Sequence, residues 1–368
     1  MARRNMLLSE TLPQFPWDTL SAAKAKAQSH PDGIVDLSIG TPADPVPQVV
    51  LDALADAGAR WHGYPTVQGT PRLQEAITGY LSRRWNSVPL TEANVLPVMG
   101  TKELVAWLPI QAGVQPGQTV VIPEIAYPTY EVGALLAKAE VVRCDDPDNL
   151  SEAPSLIWLN TPANPHGAIV LADLLRRWVA YARETGALLV SDECYGEFAW
   201  DAKSFSLLDP EINGGSLANL LACFSLSKRS NMAGYRAGFV AGCPRIIKEL
   251  LAIRKHAGAM VAGPVQEAMA AALDDDEHVS IQRDRYIRRR NKLSEALQNA
   301  GFQIDHSEGS LYLWATRGIP ARETVDWLAQ RGILTAPGDF YNEPDPTHVR
   351  IGLTALDDRI EAACERLS

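Results

Sequence analysis

Apolar residues gather in short, nearly unbroken runs through the first two thirds of the chain: TVVI (119–122), EVVRC (140–144), LIWL (156–159), ALLV (187–190), LLACF (220–224) and GFVAG (238–242). Several show no polar alternation, the pattern of a strand covered on both faces. Between some of them apolar positions recur at helical spacing, over 101–112, 129–138 and 171–185. Strand runs alternating with helical stretches predict an α/β fold built on a mostly parallel sheet.

Past about residue 245 the texture changes to long charged helical stretches, PRIIKELLAIRKHA (244–257) and DRYIRRRNKLSEALQNAG (284–301), followed by the strand candidates SLYLWA (310–315) and HVRIGL (348–353). This predicts a second, smaller α+β lobe. The expected division is residues 1–45 as an N-terminal arm joining the small domain, 46–245 as the large domain and 246–368 as the small C-terminal domain. The Pro-rich stretch 10–47 has no strong periodicity and is expected to wrap another part of the protein. The basic run 283–292 reads as a solvated helix face and DDDE (274–277) as a loop.

A chain of 368 residues, 46% hydrophobic, can build a large core. Lys+Arg 34 against Asp+Glu 44 gives a net charge of -10, which argues against a general affinity for nucleic acid or anionic membrane. An anionic ligand must therefore be held locally. Cys144, Cys194, Cys223 and Cys243 form no CxxC pair, so neither a metal site nor a disulfide framework is expected. The opening MARRNMLLSE is too weakly apolar for a secretion signal, and no run reaches membrane-spanning length. The expected location is the cytoplasm.

Each apolar run of the large lobe is followed at once by unusual chemistry: LIWL by NTPANPHG, ALLV by SDECYGEF, LLACF by SLSKRS. In an open α/β sheet, ligands bind at the carboxyl ends of the strands, where three such endings can meet. Taken singly, Asn164 reads as a turn residue, Asp192 as a cap, Tyr195 as a core aromatic and Lys228 as an exposed lysine. Taken together they fit pyridoxal phosphate. Its aldehyde needs a lysine (Lys228), its ring nitrogen a carboxylate (Asp192), and its phenolic oxygen donors (Tyr195 with Asn164). Its phosphate needs N–H groups, hydroxyls and a cation, available at Gly100–Thr101, Ser225 and Arg236.

These segments, with DLSIGTP (36–42), GYPTVQGTPRLQEAI (63–77), GTKEL (100–104), PEIAYPTY (123–130), SLSKRSNMAGYRAG (225–238) and HVRIGL (348–353), stand in the order seen in fold-type I PLP-dependent aminotransferases of the aspartate aminotransferase superfamily, which the chain resembles over nearly its whole length. The resemblance implies a seven-stranded sheet and a homodimer with shared active sites. By position, Lys228 resembles the Schiff-base lysine, Asp192 the partner of the ring nitrogen, and Tyr195 and Asn164 the donors to the phenolic oxygen. Tyr127 resembles the aromatic stacked on the ring. Gly100, Thr101, Lys102, Ser225 and Arg236 resemble phosphate ligands. Tyr64 resembles the tyrosine that reaches the neighbouring subunit's phosphate, Arg350 the clamp for the substrate α-carboxylate and Gly40 the backbone contact beside it.

The implied reaction moves an amino group between small amino and oxo acids, with Lys228 as the base at Cα. Within the family, the N-terminal stretch and the segment 225–242 are most similar to actinobacterial N-succinyldiaminopimelate aminotransferases. That implies glutamate as donor and N-succinyl-2-amino-6-oxopimelate as acceptor, in lysine biosynthesis. Arg229–Ser230 and His166 depart from the wider family's pattern, and Arg229–Ser230 is where substrate preference is expected. Arg72, Lys102 and Arg229 are candidate donors to a distal carboxylate. The alternatives are an aminotransferase of aspartate or aromatic specificity, a C–S β-lyase and, remotely, a PLP-sensing regulator.

Overall fold

The computed structural model describes residues 8–368, so the reading of residues 1–7 lies outside it. Thirteen strands follow in chain order: β1 (Val35–Asp36), β2 (Val95–Val98), β3 (Thr119–Ile122), β4 (Glu140–Arg143), β5 (Leu156–Asn160), β6 (Leu188–Asp192), β7 (Leu220–Ser225), β8 (Gly238–Gly242), β9 (Gln303–Asp305), β10 (Tyr312–Thr316), β11 (Ile333–Leu334), β12 (Ala336–Pro337) and β13 (His348–Gly352). Strands β2 to β8 form one seven-stranded sheet in the order β2-β8-β7-β6-β5-β3-β4. Its neighbours are parallel except β8, which runs against both β2 and β7. The fold is the α/β architecture with a mostly parallel sheet that the strand runs predict.

The sheet is apolar on both faces because successive side chains point to opposite sides and both sides are covered. Val120 and Ile122 of β3 pack with Leu104, Leu108, Tyr130 and Leu250 from helices Thr101–Gln111, Thr129–Leu136 and Pro244–Ala257. Val121, between them, packs on the other face with Leu175, Trp178 and Ala182 of helix Ala172–Thr185. Helices Pro71–Trp85 and Gly263–Asp274 complete that layer through Leu73, Ile77, Ala268 and Met269. Two helices that the sequence texture grouped with the smaller lobe thus pack on the large sheet.

The smaller lobe is an antiparallel sheet, β12-β13-β10-β9, with helices Glu277–Asn299, Ala321–Gln330 and Asp357–Leu367 around a core that includes Trp314, Leu293, Val325 and Ile360. The N-terminal stretch joins this lobe: β1 pairs parallel with β11, and Trp17 meets Phe340 at 5.2 Å between ring centroids.

The basic run is not the solvated face its composition suggests. Arg289 is buried and grips Asp44 with two bonds, 2.7 and 2.8 Å, and Asp357 with a third, 2.6 Å. Arg283 donates to the carbonyls of Glu197 and Ala199. Charged helix positions can thus face a neighbouring lobe when carboxylates and carbonyls await them. All five cysteines are free. Among the described residues, no helix is long and apolar enough to cross a membrane and no His/Cys/Asp/Glu group could hold a metal ion.

Candidate active site

Parallel packing brings the ends of β5, β6 and β7 side by side. Asn160 is in register with Asp192, and Asp192 with Cys223, so the loops that follow open into one cavity of about 460 Å3. Its walls include Gly40, Thr101, Lys102, Tyr127, Asn164, Asp192, Tyr195, Ser225, Lys228, Arg236 and Arg350. Eleven of the thirteen residues given a cofactor or α-carboxylate role in the sequence meet there. Gly100 stands directly behind, and Tyr64 does not reach it: Tyr64 is 95% exposed elsewhere on the chain.

Lys228 sits in the four-residue turn of helix Leu226–Arg229 that Ser225 caps, its Oγ accepting from Ser227 N at 3.1 Å. The Lys228 Nζ donates to the carbonyl of Gly40. Burial holds this ammonium below its usual pKa; Tyr312 opposes the shift, and the cations Arg350 and Arg236 add to it. Asp192 is buried at the end of β6, accepting from Tyr130 Oη at 2.8 Å and Cys194 N at 3.2 Å. Burial raises its pKa, and these bonds offset the rise only in part. Burial likewise pushes Tyr127 up to about 12.

The opposite end is built for an anion. Gly100, at φ +81°, opens helix Thr101–Gln111, and a Cβ there would overlap the Arg236 guanidinium. Glycine therefore lets the cation lie against the helix N-terminus, beside the hydroxyls of Thr101, Ser225 and Ser227. The donor set of a lysine, a buried carboxylate and a cradle of N–H, hydroxyl and guanidinium groups fits pyridoxal phosphate.

Arg350 comes from β13, an interior strand of the small sheet, and is 2% exposed. It donates to Asn164 Oδ1 at 2.9 Å and to the Ser38 carbonyl at 2.6 Å, and its guanidinium lies 4.0 Å from the Tyr312 ring centre. Its Nε is buried with no partner among the described residues. Tyr312, which the sequence reading passed over as a strand residue, places its hydroxyl 2.9 Å from that of Tyr195. Burial alone would raise the Tyr312 pKa, but the cations Arg350 and Lys228 and the Tyr195 bond bring it below its usual value. Phe15 and Trp17, from the N-terminal stretch, also line the cavity and were not singled out in the sequence. No local motif marks them; only their aromatic character in an otherwise polar arm hints at a role.

The expected specificity residues go elsewhere. Arg229 points behind the site and is buried against Glu197 (3.3 Å), Asp276 (3.4 Å) and the Ala272 carbonyl (2.6 Å), 4.8 Å from the Tyr80 ring centre. Ser230 is buried with it and meets His278 Nε2 at 2.9 Å. Arg72 pairs with Asp274 at the surface. Of the three candidate distal donors only Lys102 lines the cavity. His166 lies outside the lining, its ring 5.1 Å from that of His306; burial, with the charges of His306 and His348, holds its pKa down to about 3.

The family model for aminotransferase class I and II matches residues 32–367. A probable aminotransferase of Mycobacterium tuberculosis is 55% identical over 362 residues, 98% of this chain and 86% of the relative. The 4-dedimethylamino-4-oxo-anhydrotetracycline transaminase OxyQ of Streptomyces rimosus is 52% identical over 358 residues, 97% of this chain and 99% of the relative. Among solved structures, a probable N-succinyldiaminopimelate aminotransferase from Thermus thermophilus superposes with a TM-score of 0.86 at 27% identity, covering 96% of this chain and 99% of that one.

Proposed function

Because the chain belongs to the class I and II aminotransferases, which act on small amino and oxo acids with pyridoxal phosphate as cofactor, we propose that its cavity moves an amino group from glutamate to N-succinyl-2-amino-6-oxopimelate, giving N-succinyl-LL-2,6-diaminopimelate. The observation that carries the reading is the meeting of Lys228, Asp192, Arg236 and Arg350 in one cavity. A place in the cytoplasm and in lysine synthesis belongs to the same proposal.

Lys228 would hold the cofactor's aldehyde carbon, Asp192 its ring nitrogen, and Tyr195 and Asn164 its phenolic oxygen, while Tyr127 stacks on the ring. Asn164 spends its Oδ1 on Arg350, which leaves its amide N–H groups for the phenolic oxygen. Gly100, Thr101 and Lys102, through backbone and hydroxyl, with Ser225 and Arg236, would cradle the phosphate. Bound pyridoxal phosphate supplies an electron sink that lets the Cα–H bond of an amino acid break. Arg350 takes the α-carboxylate with terminal N–H groups that its bonds to Asn164 and Ser38 leave over, and Gly40 lines the path beside it. Lys228, freed once the substrate's amino group takes its place and kept from full basicity by burial, would then take the proton from Cα and deliver it to the carbon the lysine had held. Phe15 and Trp17 shield the reacting atoms from water. The Lys102 ammonium is then the cation in this cavity available to the distal carboxylate of a short acid such as glutamate. Two copies would share sites through the exposed Tyr64, each reaching the other's phosphate.

The solved Thermus neighbour named for a succinylated substrate favours this acceptor. The relative at 52% identity, named for a tetracycline ketone, favours a second reading, a bulky cyclic ketone as acceptor. The test is a panel of donors and acceptors with purified protein, following the cofactor's visible absorbance. Glutamate should shift the spectrum and the succinylated acceptor restore it. Restoration by a cyclic ketone instead would select the second reading, and pyruvate with ammonia released from cystathionine would make the protein a lyase. Lys228→Ala should lose both turnover and the spectral response; retained turnover sinks the mechanism.

A further inference from the structure

Beside the active-site cavity lies a second hollow of about 550 Å3, and the two share Phe15, Trp17, Lys102 and Tyr127. Each alone is of the size that holds a small ligand. The annex runs under the N-terminal stretch between the lobes, with Val132 on one wall and Phe340 on the other. Two guanidinium groups line it. Arg143 bonds Glu131 at 2.8 Å, and Arg322 bonds Asp339 at 2.5 Å and Thr19 Oγ1 at 3.1 Å. A guanidinium carries five N–H donors, and these bonds use no more than three on either, so each can serve a further acceptor. With Lys102 the three cations outnumber Glu131 and Asp339, and the lining is net positive by one charge.

We propose that this annex is the subsite for the distal arm of the acceptor: an amide-linked aliphatic chain ending in a carboxylate, its methylenes against Val132 and Phe340 and its charged end on Arg143 and Arg322. A short oxo acid would end at Lys102 and leave the annex unused. An uncharged polycycle would fill the volume and leave both guanidinium groups without a ligand partner. The inference rests on the transaminase reading and gives it a substrate class, a long 2-oxo acid with a remote carboxylate.

The test uses holoenzyme and an unreactive probe, N-succinyl-6-aminohexanoate, which carries a carboxylate at each end but no oxo group. Calorimetry should show binding to the wild type that weakens by about tenfold or more in Arg322→Met, the loss of a charge-assisted bond, and likewise in Val132→Trp, which fills the hollow. In both variants the rate at which glutamate changes the cofactor's absorbance should stay as in the wild type, which also shows that they fold. No probe binding, unaltered binding in the variants, or an equal loss in the glutamate step overturns the subsite. Probe binding through the annex without turnover of the succinylated acceptor keeps the subsite and removes the acceptor assigned above.

Discussion

A methyl group added at residue 40 would overlap the hydroxyl of Tyr312, which itself sits 2.9 Å from Tyr195 and under the Arg350 guanidinium. Gly40→Ala should therefore push Tyr312 aside and disturb Tyr195 and Arg350 together, lowering kcat/KM by roughly 100-fold, as misplacement on the ångström scale does; wild-type kinetics would refute this. Arg350→Lys keeps a charge but loses the fork. It should raise KM for oxo acids by about 10- to 100-fold with a smaller change in the cofactor spectrum. Lys228, Asp192 and Asn164 were legible in the sequence because a polar group directly after an apolar run has few structural reasons to be there. Tyr312, Tyr130 and Trp17 were not. An aromatic residue in an apolar strand or a proline-rich arm looks the same whether it fills the core or faces a ligand, and the Tyr195 partnership spans 117 residues of sequence. Arg229 misled for the converse reason: a cation beside Lys228 looks like a ligand donor until Glu197 and Asp276 are seen to hold it.

Strand β13 brings Arg350 to the site, and at its start His348 lies between Glu343 (2.5 Å) and Asp305 (2.8 Å), stacked on Trp314. Burial alone would lower the His348 pKa, but the bonds and charges of these two carboxylates outweigh it and raise it above the usual value. The ion-paired form is the protonated one, so its contribution is complete below the unfolded pKa of about 6.5 and fades as pH rises through the higher folded value. Melting temperature should fall across that range, and His348→Gln should flatten the profile; an unchanged profile in the variant counts against the assignment. Behind the site, Arg229→Met would leave Glu197 buried with Arg84 and Tyr80 as its remaining partners. Chemical denaturation should show a loss of about 3 kcal/mol. Five of the six strand runs of the large sheet could be read because burial on both faces erases polar alternation; β4, a half-exposed edge strand, shows instead through its paired valines. Strand β2 was missed because Pro97 argues against a strand; it is tolerated there since β2 is an edge of the sheet. Strands β1, β11 and β12 are two residues each, too short for any periodicity.

At the scale of the molecule, Tyr64 and Lys228 should act from different chains if the protein pairs as proposed. Tyr64→Ala and Lys228→Ala would each be impaired alone, and mixing them after reversible dissociation should restore activity, because one site of the mixed pair holds an intact lysine and receives an intact tyrosine. No restoration, or a monomer in sedimentation, removes the shared site. The sequence reading joins residues 1–45 to the small domain but cannot say which residues they meet there, since such contacts leave no local trace. They also set a schedule. Lys26 pairs with Asp326, 300 positions later, and Asp44 waits 245 positions for Arg289. At 5–20 residues per second the ribosome needs roughly 15–60 s to supply the partner of Lys26. During that interval the newborn chain already carries Lys228, Ser225 and Asp192 but neither Arg350 nor a settled Trp17. The first described stretch to be synthesised thus waits longest for its partners, and the cavity is complete only once Arg350 has been made.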